Sequence, residues 1–265
     1  MDQSYWSSQK IIDASRDFVC IRMATYESAE EGKILESIFS GRSGKLENTV
    51  FAMLDPTAKK FLVRAGRSPG FAFSGGEQIA IAAMASKMRE LAKQYPMKEN
   101  VESADAALPY IADLRLAVNI TACDNLPLVV VAGDEQQRRQ MEEKLKPLVW
   151  KPPFIGQFSF VAVDLPELKW IDNCKSQAGI VIVQPDRFGV QGTRIEQIPA
   201  DATTEEITAA LKTGLRKFEK FEKIAREQIA AGQRERINWE TAIPVTDPGR
   251  PPGPGGPKGG PPRGP

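Results

Sequence analysis

Residues 128–132 read Leu-Val-Val-Val-Ala, an unbroken apolar run of strand length. A strand with one wet face alternates polar and apolar side chains, so a continuous run must be covered on both faces. Residues 179–183, Gly-Ile-Val-Ile-Val, have the same texture. Both runs fall far short of the roughly 20 apolar residues that span a bilayer. The chain around them must therefore supply helices for two faces of a sheet, which places it in the α/β class.

The rest of the pattern supplies those helices twice over. In the first half, residues 5–16 form a helix, residues 17–24 (DFVCIRMA) a strand dense in β-formers, and residues 28–40 a helix. That helix sets Ile34, Leu35, Ile38 and Phe39 on one face and stops at Gly41. Residues 50–54 and 61–65 make a hairpin around Pro56, and residues 77–95 a long helix closed by Pro96. Ile81, Ala85, Met88, Leu91 and Tyr95 are its stripe.

A polar stretch at 98–105 reads as a linker between a domain at 1–97 and one at 106–240. The order then repeats: helix 109–122, strand 128–132, charged helix 135–149, strand 158–163, a helical turn at 166–173, and a hairpin of 179–183 with 193–198. A capping box, Thr203 with Glu206, opens the last helix. Its stripe runs through Ile207, Leu211, Leu215, Phe218, Ala225 and Ile229 without a break. Strand–helix–strand units need a parallel pair and the hairpin is antiparallel, so each sheet is expected to be mixed, with helices on both faces. Residues 241–265 read as a disordered Pro/Gly-rich tail. Its last eighteen residues hold eight Pro and seven Gly without the third-residue period of collagen.

Composition removes several chemistries. Thirty-five Lys+Arg against 34 Asp+Glu give a net charge of +1, which creates no global field for nucleic acid. There is no histidine, hence no Ser-His-Asp or Cys-His pair and no imidazole metal ligand. The three cysteines include no Cys-x-x-Cys, which excludes a structural zinc site and a dithiol couple. No cofactor and no metal are implied. MDQSYWSSQK carries no signal peptide, so the chain as given reads as cytoplasmic, or as secreted or periplasmic if Met1 replaces a removed leader.

The candidate site residues are few, and each has an ordinary explanation beside the functional one. Cys20, between Val19 and Ile21, is expected to be a buried strand residue. Cys174, next to Lys175, is the better candidate for an activated thiolate, and Cys123 lies beside Asp124. A Cys123–Cys174 bridge needs the two Cα atoms within about 7 Å. Glu27, Glu30 and Glu31 gather at a helix start, where the helix dipole already favours them. Arg42 and Arg67 lie in Gly-Arg-Ser loops that suit a small anion, although ordinary turns also explain them. Arg138, Arg139, Lys144 and Lys146 alternate with glutamates, as on a solvated helix face. The segment Trp150-Lys-Pro-Pro-Phe154 reads as an exposed apolar loop able to meet a partner, and Trp170 and Trp239 as core residues.

The order of elements resembles the thioredoxin fold, twice. LPLVVVAGDEQQRRQM resembles its first core strand and helix, FSFVAVDLPEL its second strand, and AGIVIVQPD with TRIEQIP its closing hairpin. DFVCIRMATYESAEEGKIL and TVFAMLDPTAKKFLVRAG resemble a shortened copy. Where that family carries Cys-x-x-Cys, the chain has Glu27-Ser28-Ala29-Glu30 and Glu135-Gln136-Gln137-Arg138. Asn48-Thr49 and Ala178-Gly179 replace its cis-proline. The resemblance implies two tandem thioredoxin-like domains acting as a non-catalytic binding or scaffold protein, its partner another protein. The alternative is a thiol-dependent oxidoreductase using a single cysteine, Cys174 or Cys20.

Overall fold

The computed structural model describes residues 4–21, 23, 28–40, 50–96 and 107–237. The chain divides between Lys98 and Glu99 into two compact units, the second running to Glu240.

In the first unit, α1 (Gln9–Ser15) packs on α3 (Glu77–Gln94), and α2 (Ala29–Ile38) lies between them in sequence. Of the expected stripe of α3, Ile81, Ala85, Met88 and Leu91 are buried in one core with Met84, Ile11, Phe51 and Met53, whereas Tyr95, past the last helical residue, is 37% exposed. The hairpin is present only as two antiparallel bridges, Phe51 with Gly66 and Leu54 with Phe61. Its turn is organised by Asp55, whose carboxylate accepts from the amides of Lys59 and Lys60 (3.0 and 2.9 Å) and from the Thr57 hydroxyl (2.8 Å). The strand expected at 17–24 is absent from its described residues, and Val19 and Ile21 are 89% and 77% exposed. β-forming side chains make a strand only against a paired and covered neighbour, and none pairs with this stretch among the described residues. Helix α2 forms, with Ser28 capping the Glu31 amide, but it ends at Ile38. Of its expected apolar face, Ile34 is 51% exposed while Leu35, Ile38 and Phe39 are half-buried; Gly41 lies outside the described residues.

The second unit is an α/β domain. Its elements are β1 (Tyr110–Ile111), α4 (Leu114–Asp124), β2 (Leu128–Ala132), α5 (Glu135–Val149), β3 (Ser159–Val163), β4 (Ile171–Asp172), β5 (Gly179–Pro185), β6 (Gly192–Pro199), α6 (Thr204–Lys217) and α7 (Ala225–Arg234). A 3-10 helix, Leu165–Trp170, links β3 to β4. The six strands form one mixed sheet in the order β1-β3-β2-β5-β6-β4. β3 runs parallel to both β1 and β2, β5 is antiparallel to both β2 and β6, and β4 runs parallel to β6.

Val130 stands opposite Val161 on one side and Val181 on the other, and every residue of β2 is buried. The two faces have separate cores. Val129, Val131, Ile180 and Ile182 meet α5 and α6, while Leu128, Val130, Val181 and Val183 meet α4 and the 3-10 helix. Burying one such side chain stabilises the fold by roughly 1.5–3 kcal/mol, which is why the unbroken apolar run sits at the centre of the sheet.

Three expectations change here. Residues 110 and 111 pair with β3, and the helix starts only at Leu114, where Asp113 caps the Leu116 amide at 2.8 Å. Phe154, expected on an exposed loop, is 4% exposed and belongs to the α5/α6 core, leaving Ile155 outside at 46%. Trp170, expected in a core, is 67% exposed with the Lys169 ammonium over its ring.

The long last helix is two helices joined by an extended strap, residues 218–224. Two carboxamides hold the strap. Gln184 accepts from the Glu219 amide at 2.9 Å and donates to its carbonyl at 3.1 Å. Asn125, in left-handed geometry at the end of α4, accepts from the Phe221 amide and donates to its carbonyl, both at 2.9 Å. Lys223 adds a bond to the Cys123 carbonyl. Among the described residues, no helix is long and apolar enough to cross a membrane.

Candidate functional site

In open α/β sheets, ligand sites collect beyond the carboxyl ends of the parallel strands. In the second unit, that end is formed by Gly133-Asp134 after β2, Asp164 after β3, and Ala178-Gly179 before β5. The loops lie close together: a Cβ placed on Gly133 would be 3.3 Å from the Ala178 Cβ. Gly133 also donates its amide to the Val163 carbonyl at 3.2 Å, continuing the β2–β3 ladder past its last paired residue.

Helix α5 begins with a complete capping box. The Asp134 carboxylate accepts from the Gln137 amide at 2.8 Å, and the Gln137 carboxamide accepts from the Asp134 amide at 3.0 Å. Arg138, one residue on, donates to the Gly133 carbonyl at 3.0 Å and to the Asp164 carboxylate. Asp164 in turn opens the 3-10 helix through a reciprocal pair with Glu167. Each polar group thus serves the backbone that positions it. A carboxylate already occupies the positive end of the α5 dipole, the feature that elsewhere lowers a thiol pKa.

The resemblance aligns the family's cysteine pair with Glu135-Gln136-Gln137-Arg138 at this helix start, so Glu135 and Arg138 stand where its cysteines would be. The basic residues of α5 are paired: Arg139 with Glu135, Lys146 with Glu142 at 3.2 Å, and Lys144 with the Ala202 carbonyl at 2.8 Å. Beneath the helix, the Tyr110 hydroxyl is buried without a hydrogen-bond partner among the described residues. Burial raises its pKa strongly, nearby Glu142 adds to the rise, and Arg138 opposes it.

The three cysteines lie elsewhere, and no disulfide joins Cys123 to Cys174. Cys20 is an exposed residue in irregular chain, not the buried strand residue expected. Its thiol donates to the Ser15 carbonyl at 3.9 Å, and partial desolvation there raises its pKa against the lowering effect of the Ser15 side chain. Cys174 packs against the α4-side core. Its sulfur is 3.7 Å from the Gln197 carboxamide oxygen, and burial raises its pKa while Arg194 works in the opposite direction. The adjacent Lys175 is bound through its backbone to Gln197 and is not among the groups shifting the thiol. Burial thus favours the thiol form of Cys174, with Arg194 rather than Lys175 opposing it.

Arg67 is exposed at the end of the first unit's hairpin, where the Gly66 amide is already given to the Phe51 carbonyl at 3.0 Å. Ser68, after it, opens a short 3-10 turn. Arg42, Glu27 and Trp239 lie outside the described residues. Glu30 and Glu31 occupy the first turn of α2. Asp164, Asn125 and Gln184 escaped the sequence reading. An asparagine just past a helix signals a left-handed cap, which marks Asn125, but nothing local marks the other two.

Among the described residues, no cluster of three or more acidic or cysteine side chains is arranged to hold a metal ion. Comparison of the chain with protein-family models, curated proteins and solved structures finds no match.

Proposed function

We propose that the chain is a non-catalytic binding or scaffold protein built from two thioredoxin-like domains, the first shortened, that has lost its redox cysteine pair. The observation carrying this reading is the α5 start. The positions that the resemblance gives to the cysteine pair there hold Glu135 and Arg138, beside a capping box, Asp134 with Gln137, whose own hydrogen bonds use the helix start. The mixed sheet, with a parallel β2–β3 pair and an antiparallel β5–β6 hairpin, supports the fold part of the reading for the second unit. Both candidate thiols have raised pKa values, which favours this reading over a single-cysteine oxidoreductase using Cys174 or Cys20.

The test is reduction of a protein disulfide substrate by dithiothreitol in the presence of the full chain. The expected rate equals that of dithiothreitol alone. A saturable rate increase that disappears on Cys174→Ser or Cys20→Ser would replace the binding reading with the oxidoreductase one.

A further inference from the structure

The strap is where local preference and observed structure disagree. Residues 215–231 contain neither Gly nor Pro. Glu219 with Lys223, and Glu222 with Arg226, stand at the i,i+4 spacing and orientation that favour helix. Wound as one helix, Ile207, Leu211, Leu215, Phe218, Phe221, Ala225 and Ile229 fall within a wedge of about 120°. Yet α6 stops at Lys217, and Phe218 takes extended backbone, φ −65° and ψ 128°. What opposes the helix is tertiary: the Gln184 and Asn125 clamps on Glu219 and Phe221, and the Lys223 bond to the Cys123 carbonyl. Helix α7 is held lightly. Ala231 is its buried residue, Gln228 bonds the Arg187 carbonyl at 2.8 Å, and Ile229 stays 62% exposed.

We propose that residues 218–224 form a two-state switch. In the closed state, they are an extended strap clamped by Asn125 and Gln184. In the open state, they are helical and fuse α6 to α7 into one helix that runs past the end of the sheet. A segment whose own sequence favours one conformation while two side chains impose another has the bistability such transitions need. Opening frees Phe218 and Phe221, half-buried in the closed state, onto one face of the extended helix with Ile229. The two carboxamides read only backbone amide and carbonyl groups of the strap, and of the strap's own side chains Lys223 adds its bond to the Cys123 carbonyl.

The test is the 13Cα chemical shifts of residues 218–224 in the full chain. Wild type is expected to give extended values. Asn125→Gly keeps the left-handed cap while deleting one clamp, and combined with Gln184→Ala it should move the whole segment toward helical values. Resonances of β2 and β5 should stay in place. A segment that remains extended, or that moves only to random-coil values, overturns the proposal. If the double variant loses its sheet resonances, Gln184→Glu is read instead. It keeps an acceptor for the Glu219 amide but loses the donor, so a partial helical shift is expected and an unmoved segment refutes the switch. Adding Lys220→Gly and Glu222→Gly to the clamp-free chain should return the segment from helical values, since glycine penalises helix. Persistence of helical values there would also count against it.

Discussion

Gly179 opens β5 beside the loop cluster at the carboxyl end of the parallel strands, and its missing side chain is a packing requirement. A Cβ at this position would lie 2.0 Å from the Ile198 carbonyl oxygen and 3.1 Å from the Pro199 Cα. Ordinary carbon–oxygen contacts between strands are about 3.3–3.6 Å. The obstacle is backbone, which cannot rotate aside as a side-chain tip can. Gly179→Ala must therefore push the ends of β5 and β6 apart by about 1.3 Å. That displacement breaks the Ala200 amide bond to the Ala178 carbonyl, now 3.1 Å, and the terminal Gly179–Pro199 pairing. Two lost hydrogen bonds at about 1 kcal/mol each and an overpacking cost of about 1–3 kcal/mol outweigh the roughly 0.4–1 kcal/mol gained by stiffening the unfolded chain. The expected net loss is about 3 kcal/mol, a fall of roughly 10 °C in the melting temperature of a unit this size. Gly133→Ala is the comparison. Its backbone is as unfavourable for a side chain as that of Gly179 (φ 153° against 158°), a cost common to both. Its Cβ, however, would meet the Gln137 carboxamide oxygen at 2.8 Å, the movable end of a side chain, so beyond that shared cost only about 1 kcal/mol is expected from the weakened cap. Urea midpoints of both variants, followed by circular dichroism, decide the matter. If Gly179→Ala is no worse than Gly133→Ala, the close-approach argument is wrong.

Phe154→Ala should cost about 3–5 kcal/mol because the ring is core, and Ile155→Ala next to it within about 0.5 kcal/mol; equal midpoints in denaturant would contradict the assigned burial. Cys174 and Cys20, with pKa values raised by desolvation, should alkylate more slowly at pH 7.5 than a free cysteine peptide, read by mass spectrometry, and faster modification of either would restore an activated thiolate. In the first unit, hydrogen bonds from the Lys60 amide and the Thr57 hydroxyl hold the Asp55 carboxyl below its usual range. Its stabilising effect is thus fully present above about pH 4, the ordinary aspartate pKa, and is lost as pH falls through the lower folded-state value. Thermal melts between pH 2.5 and 6 should show a shallower acid decline for Asp55→Asn than for wild type, and parallel declines would remove Asp55 from that role.

Where a pattern repeats over several turns or fills a whole strand, the sequence was enough. The stripe of α3 from Ile81 to Leu91, the buried run of β2 and the Thr203–Glu206 capping box all lie where their residues put them. The two-residue strand Tyr110–Ile111 is too short to have a period, so its apolar pair merged with the helical register that follows. The strand expected around Cys20 had the right composition, but composition does not supply a neighbouring strand. At the candidate site, the start of α5 was legible from charge and spacing. The approach of Gly133 to Ala178, and the bridge from Arg138 to Asp164, join residues distant in sequence. The same is true of the strap, whose helical period is real but is overruled by Asn125 and Gln184 from elsewhere in the fold.

The two-residue strands β1 and β4 also bear on self-association. A sheet border presents unpaired amides and carbonyls that invite another chain to add a strand. Here one border strand is only Tyr110–Ile111, too short to template such an addition. On the other side, β4 pairs with Gly192 and Thr193 of β6, and the Gln197 carboxamide then grips the backbone of Lys175 from both its amide and its carbonyl (2.9 and 2.8 Å) before β6 ends in Pro199. Among the described residues, the borders of this apolar sheet thus offer only short or already gripped stretches of backbone to an added strand.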